Sequence, residues 1–378
     1  MPLLLPSILI DSEYVYSLPK WIILIFQLIH NVFCASVNVF FNLLNSMKDK
    51  KKVPMITDPL LLKSAVECGR LIREGRLTST LLVNAYIKRQ QEVNHLLNAV
   101  AVENYEFALK KAAETDLYIS TLDKKSDEFK NLKDKPLLGV PFTLKCSIKA
   151  FGYNPTASIV ALNNRPPMNE ECPLVSSLKN AGALIICYST CPELRWNIET
   201  NSKLYGRCCN PYDVRRTSGA SSSGEGSIIG AGASLMGIGS DIAGSIRIPA
   251  AFCGIFSYKP SSKALNGEGH EPGAPEGAPV LEMAHIGPMA RYAQDLHFMT
   301  KLMMTKDKLE ELKMNEKVEF KDLKFFYIKD FSYMESEKVS DDMLLGLDSV
   351  VKMINAEGNS ICEIVLDELK HANEYWQV

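Results

Sequence analysis

No two cysteines in this sequence are spaced as C-x-x-C, although the chain holds 10 of them. The nearest pairs are Cys187/Cys191 and Cys208/Cys209, and neither spacing suits a structural zinc site. Cys34 sits in an apolar N-terminal segment and Cys68 in a helical pattern, so the set reads as ordinary reduced thiols. A usable N-glycosylation acceptor is also lacking: the one Asn-x-Ser/Thr match is Asn154-Pro155-Thr156, and proline in the middle disqualifies it. An excess of charge of one sign is missing too. Lys plus Arg number 42 against 44 Asp plus Glu, a net −2, which argues against a dedicated nucleic-acid binder. What remains is a chain of 378 residues, 46% apolar and 23% charged, close to globular averages. That composition excludes a fibrous or wholly disordered protein, and a chain this long can bury a large core without disulfides or metal.

Charge vanishes altogether between Trp21 and Met47, where 19 of 27 positions are apolar. About 20 such residues span a bilayer as a helix. The run is too long for a signal-peptide core and has no basic stretch ahead of it. Its polar residues Gln27, Asn31, Asn38, Asn42 and Asn45 follow one another at steps of 4, 7, 4 and 3, a single stripe of a helix. Such a helix either spans with its stripe toward a partner or lies in the interface with the stripe facing water. A buried helix of a soluble protein is the plainer alternative. Lys48-Asp49-Lys50-Lys51-Lys52 follows the run, whereas Asp11, Glu13 and Lys20 precede it. This asymmetry places the C-terminal side in the cytosol if the helix spans, and the same lysines suit anionic head groups.

Residues 57–120 read as helical: Leu60, Leu61, Ala65, Val66, Leu71 and Ile72 recur at helical spacing, and Leu81 to Leu97 continues with Thr80 as cap. Asp123 to Lys135 is charged and loop-like. From Leu137 the texture changes. Pro136 to Lys145 reads as a buried strand, Val175 to Gly182 as a helix, and Ala183 to Cys187 as a strand. This alternation argues for an α/β sandwich. Residues 261–280 are Gly/Pro-rich and read as a loop, 322–328 as a strand, 339–356 as a helix, and Glu363 to Trp376 as a helix with no stop signal.

The centre, Thr217 to Pro249, is crowded with small residues, and three chemistries use such loops. A phosphate loop needs lysine and a hydroxyl after its second glycine, yet Gly219 and Gly224 are followed by Glu225 and Gly226, and that carboxylate repels phosphate. A dinucleotide fingerprint begins at Gly237-Ile-Gly239 but meets Ile242 where its third glycine belongs. A G-x-S-x-G elbow is absent. No histidine lies between His95 and His270, and His270, His285, His297 and His371 sit in no recognisable catalytic context. Serine hydrolysis with a lysine base is the remaining chemistry. A hydroxyl needs a neighbouring base, and lysine serves when burial lowers its pKa toward neutrality. Lys145 closes an apolar strand after Val140, Phe142 and Leu144, where burial is expected. The plain alternative is a small-residue packing element, for which Gly230, Gly232 and Ala233 alone would serve.

Gly139-Val-Pro-Phe-Thr-Leu-Lys145, the serine-glycine loop Gly219–Gly226 and Gly239-Ser-Asp-Ile-Ala-Gly-Ser-Ile-Arg-Ile-Pro249 together resemble the amidase signature family, and within it the membrane-anchored fatty-acid amide hydrolases. Tyr205-Gly206, Asn210-Pro211-Tyr212 and Tyr258-Lys259-Pro260-Ser261 fit as well, so the likeness runs over residues 55–375. It implies an α/β fold with a mixed central sheet covered by helices on both faces. An N-terminal segment over 1–52 would carry the membrane helix (21–47) and its basic flank, and the amidase domain would occupy 53–378. By motif position, the resemblance makes Lys145 the base, Ser221 the bridging serine after a cis peptide, and Ser245 the nucleophile. Backbone N–H groups of Ile242, Ala243, Gly244 and Ser245 would form the oxyanion hole. Ser222 would support the network, and Asp241 and Arg247 would form a pair shaping the turn. No metal or cofactor is implied. The expected partners are a lipid amide, a membrane (an endomembrane such as the endoplasmic reticulum, with the catalytic domain on the cytosolic side) and a second copy in a homodimer.

Departures accompany the match. Ala220, Ser223 and Ala243 stand where the family usually has glycine, and each adds a Cβ that costs about 1–2 kcal/mol if the backbone there is left-handed. Cys146 stands where an acidic residue is common. Family domains continue past position 378, so the chain is expected to be C-terminally truncated relative to them. Two competing readings follow: a catalytically impaired remnant binding lipids or a partner, and another amidase such as a glutamine-dependent amidotransferase subunit, which the apolar N-terminal helix opposes.

Overall fold

The computed structural model describes residues 19–274, 278, 280–329 and 339–366. The chain divides into two compact units, residues 49–315 and a second drawn from 1–48 and 316–378.

In the larger unit the run Pro141-Phe-Thr-Leu-Lys145 is buried at every position, as a strand with parallel neighbours requires. In chain order the strands are β1 (Val100–Glu103), β2 (Pro141–Lys145), β3 (Leu184–Ser189), a two-stranded piece of β4 (Asn201–Ser202) and β5 (Gly206–Arg207), then β6 (Met236–Asp241), β7 (Phe256–Ser257) and β8 (His285–Ala290). Six of them form one mixed sheet in the order β1-β3-β2-β6-β8-β7. β2 runs parallel to both β3 and β6, and the β1–β3, β6–β8 and β7–β8 pairs are antiparallel. The register sets Thr143 beside Gly237 and Leu144 beside Ile238. The carboxyl ends of β2 and β6 therefore finish side by side, the place where open α/β sheets present their ligand sites. Phe142, Leu144, Ile186 and Ile238 lie in the core beside this junction.

Helix boundaries follow local chemistry. Ser64 Oγ accepts the Glu67 N–H at the start of Ala65–Arg73, and the buried Asp295 carboxylate accepts the N–H groups of Ala65 and Val66. The helix Ser79–Leu97 is capped by Thr78, which accepts from Leu81, and not by Thr80, whose own N–H goes to Asp116. It stops at Asn98 in the left-handed region (φ 48). There Asn94 Oδ1 accepts the Ala99 and Val100 N–H groups and turns the chain into β1. The continuous helical reading of 57–120 is thus corrected: a strand separates Ser79–Leu97 from the helix Tyr105–Thr121. The stretch expected as a loop before Lys135 contains a short helix, Asp127–Asn131, started by Ser126. Pro173–Asn180 and β3 fall where the strand–helix–strand alternation puts them. One helical turn, Val280–Met283, closes the Gly/Pro-rich loop.

In the second unit the apolar run forms the helix Lys20–Ser46, 27 residues long, or about 40 Å at ~1.5 Å per residue. Leu24–Ser46 is long and apolar enough to cross a membrane, by length and composition. Phe26, Phe33, Phe40 and Leu43 are exposed along it. Residues 325–327 form β9 (Phe325–Tyr327), which pairs in parallel with β10 (Ile361–Glu363) through the helix Asp341–Ala356. Glu363 therefore ends a strand rather than opening a helix toward Trp376, and residues 367–378 lie outside the described residues.

Candidate active site

Lys145 is the last residue of β2 and is fully buried. Its Nζ lies 2.7 Å from Ser221 Oγ, 3.0 Å from Ser222 Oγ and 3.1 Å from Ser240 Oγ. With the Ser240 carbonyl oxygen at 3.5 Å, four neutral oxygens and no carboxylate contact it, so burial dominates and pushes the ammonium down to about 8. The serines come from separate elements. Ser221 and Ser222 precede the helix Ser223–Gly230, and the Ala220–Ser221 peptide is cis. Ser240 belongs to β6, and its N–H donates to Ser222 Oγ at 3.2 Å.

Beyond β6 the chain turns tightly around one carboxylate. Asp241 Oδ1 accepts the Gly244 N–H at 2.8 Å, and Oδ2 accepts those of Ile246 at 3.0 Å and Arg247 at 3.3 Å. The Arg247 side chain adds contacts of 3.0 and 2.9 Å. Burial alone would raise the Asp241 pKa, but the guanidinium and the amides win and hold it at about 2. The expected Asp241–Arg247 pair is present. It also changes the proposed oxyanion donors, because the Gly244 N–H is already committed to Asp241. Among the described residues, the N–H groups of Ile242, Ala243 and Ser245 have no protein acceptor. Gly244 itself sits at φ 114, where a Cβ would strike Ile248. None of Ala220, Ser223 and Ala243 has a positive φ. The penalty foreseen for these three replacements therefore does not arise.

Ser245 is half-buried at the end of this turn. Its carbonyl accepts the Ser222 N–H at 2.9 Å, which ties the two serine loops together. Its hydroxyl makes no hydrogen bond among the described residues. Ser221 and Ser245 nevertheless border one cavity of about 150 Å³, with Ser240, Asp241 and Ile242 on the same wall. Arg195 and His270 complete its polar lining. Burial, with the Arg195 and Lys145 charges, lowers the His270 imidazole to about 3, so it is neutral. A second cavity of about 510 Å³ shares Leu281 and Ala284 with the first.

Two further buried groups lie around the lysine. Glu225 accepts from Thr143 Oγ1 at 2.5 Å and from Ser189 Oγ at 2.7 Å, on strands β2 and β3. Burial lifts its carboxyl to about 7 against those hydrogen bonds. A Cβ on Gly237 would strike the Glu225 carboxyl and crowd Thr143 Oγ1, so β6 needs glycine there. Cys146, in place of the expected acidic residue, is buried with its Sγ 3.4 Å from that of Cys191, and the Ser158 hydroxyl lies 3.8 Å from both sulfurs.

Sequence reasoning singled out Lys145, Ser221, Ser222, Asp241, Ser245 and Arg247, and the fold brings all six to one end of β2 and β6. It missed Ser240, Glu225, Arg195 and His270. A signal existed for Ser240, which directly precedes Asp241 at the end of a strand. None existed for Arg195, which reaches the cavity only through the fold.

Against known proteins, the chain matches the model of the Amidase family over residues 81–378. It is 40% identical over 331 residues to fatty-acid amide hydrolase 2-A of Danio rerio, covering 86% of this chain and 60% of that protein. Human (Homo sapiens) fatty-acid amide hydrolase 2 is 36% identical over 338 residues, covering 88% and 62%. A solved structure of a fatty acid amide hydrolase superposes with a TM-score of 0.69 at 26% identity, over 81% of this chain and 53% of that one. The chain thus spans about three fifths of the length of the curated relatives it matches.

Proposed function

Because this chain belongs to the amidase family, we propose that it hydrolyses the amide bond of fatty-acid amides at a membrane surface, with Ser245 as nucleophile, Ser221 as relay and Lys145 as base. The observation that carries the reading is the 2.7 Å contact between a fully buried Lys145 and Ser221. A lysine held near 8 has a neutral fraction at physiological pH, and only the neutral amine can take a proton. Lys145 accepts the Ser221 proton as Ser221 accepts that of Ser245, and Ser245 Oγ attacks the amide carbonyl. The free N–H groups of Ile242, Ala243 and Ser245 face the developing oxyanion, and one such donor is worth about 3 kcal/mol. The relay returns a proton to the leaving amine, and water then releases the acyl group. Ser222 and Ser240 hold the lysine on axis, and Asp241 with Arg247 holds the turn that carries Ser245.

The helix Lys20–Ser46 anchors the chain, and the basic stretch Lys48–Lys52 puts residues after it on the cytosolic side of an endomembrane. The larger cavity beside Leu281 and Ala284 offers room for hydrocarbon. The competing reading, a remnant without turnover, draws on one observation: the Ser245 hydroxyl makes no hydrogen bond to Ser221. Labelling of the purified chain with a fluorophosphonate probe decides between them. Labelling that disappears in Ser245→Ala supports an assembled nucleophile, base and oxyanion hole. A folded chain that takes no label is a remnant.

A further inference from the structure

Arg195 is a cation on the wall of the Ser221–Ser245 cavity that the proposed reaction does not use. Leu194 and Arg195 both sit in the left-handed region, at φ 57 and 62. Side-chain-bearing residues seldom adopt that region, and such strain gathers at functional sites. The guanidinium donates from its two terminal nitrogens to the carbonyl oxygens of Glu271 at 2.7 Å and Pro272 at 3.0 Å. A guanidinium has five N–H groups, so these bonds leave others free. Among the described residues no carboxylate lies within ion-pair distance of it. The Glu271 carboxylate is taken by Arg165 at 2.8 Å, and that of Asp241 by Arg247 and the turn amides. Its other titratable neighbours are Lys145, neutral His270 and the buried thiols of Cys191 and Cys146. Burial would raise Cys191, but the Cys146 hydrogen bond and the Lys145 charge bring it down to about 7, and neither thiol lines the cavity. The cavity wall therefore holds a fixed, partly desolvated cation that, among the described residues, no carboxylate pairs, an arrangement suited to a planar carboxylate.

We propose that Arg195 receives a carboxylate on the amine portion of the substrate, so that the preferred amides are N-acyl amino acids with a small head group. This deepens, and rests on, the amide-hydrolase reading above. The acyl portion is hydrocarbon next to its carbonyl, so an anion near the scissile bond belongs to the amine side. A cavity of about 150 Å³ beside Ser245 has room for a glycine-sized head. The reaction stays a plain hydrolysis: one water is consumed, the C–N bond breaks, and a fatty acid and a zwitterionic amino acid leave.

The test compares N-oleoylglycine with N-oleoylethanolamine, which carries a hydroxyl where the first has a carboxylate, in the full chain. The native chain should favour N-oleoylglycine. Arg195→Ala should lower the ratio of the two kcat/KM values about 10- to 100-fold, chiefly through KM, and Arg195→Lys should recover part of it. Equal losses on both substrates, or a shifted pH midpoint with an unchanged ratio, would mean that Arg195 acts only on Lys145 and would overturn the proposal. Binding of N-oleoylglycine to Ser245→Ala, with and without Arg195→Ala, reads recognition apart from turnover. If the native chain cleaves neither amide while this binding still depends on Arg195, the hydrolase reading fails and the carboxylate site stands. If binding ignores Arg195, the site falls.

Discussion

Lys145 and Glu225 are both wholly buried, and burial moves them in opposite senses: the amine down to about 8, the carboxyl up to about 7. For Lys145 the consequence is kinetic. The proposed reaction needs the neutral amine, so kcat/KM should climb as pH rises through about 8 and level off above it. Lys145→Ala should cost about 10²- to 10⁴-fold, read by fluorophosphonate labelling rate and amide turnover across pH 6–10 (about the accessible range around a base of this kind). For Glu225 the consequence is stability. The native state keeps a proton that the unfolded chain gives up in the ordinary carboxylate range, so stability should fall as pH rises from that range to about 7 and be flat beyond. Glu225→Gln should erase that slope in thermal melts recorded at several pH values. Residues whose chemistry is written in a motif, Lys145, Ser221, Ser245 and Asp241, were legible in the order of residues alone. Ser240 and Glu225 were not: each acquires its surroundings from the β2–β6 register and from a helix pressed on the sheet, which no local spacing encodes.

At the scale of elements, the turn after β6 is held by a single side chain. Asp241 gathers the N–H groups of Gly244, Ile246 and Arg247 together with the Arg247 guanidinium. Asp241→Asn removes the charge and half of the accepting capacity, so a loss of about 1–3 kcal/mol in stability is expected, with slower labelling of Ser245 in the portion that still folds. Denaturant titration and labelling kinetics measure the two effects separately. The carboxyl titrates near 2. Its contribution is therefore present above the ordinary carboxylate range and fades only as pH falls toward that value. Gly237→Ala drives a methyl group onto the Glu225 carboxyl and should cost at least about 1–3 kcal/mol by overpacking, read as a lowered Tm. The alternation of strand and helix after Leu137 was legible because buried strands and amphipathic helices differ in period. β1 was not, since the stop at Asn98 depends on a left-handed backbone and the side-chain cap from Asn94. Glu363 misled for a related reason: a short strand carries too few residues for its period to show against a helical one.

At the scale of the whole molecule, the helix Lys20–Ser46 and the residues that build the site belong to different compact units. Deleting residues 1–48 should therefore release the remainder from anionic vesicles while leaving fluorophosphonate labelling in place, as co-sedimentation and gel fluorescence would report. Retention on vesicles after the deletion would assign membrane contact to another surface. The apolar helix has one further effect if the chain hydrolyses amides as proposed and the helix holds it at a bilayer. A substrate dissolved in the same sheet of lipid then meets the enzyme by lateral diffusion, and its volume concentration ceases to be the relevant variable. Velocity should follow the mole fraction of amide in the lipid, falling when inert phospholipid is added at constant bulk substrate: surface dilution becomes a form of inhibition.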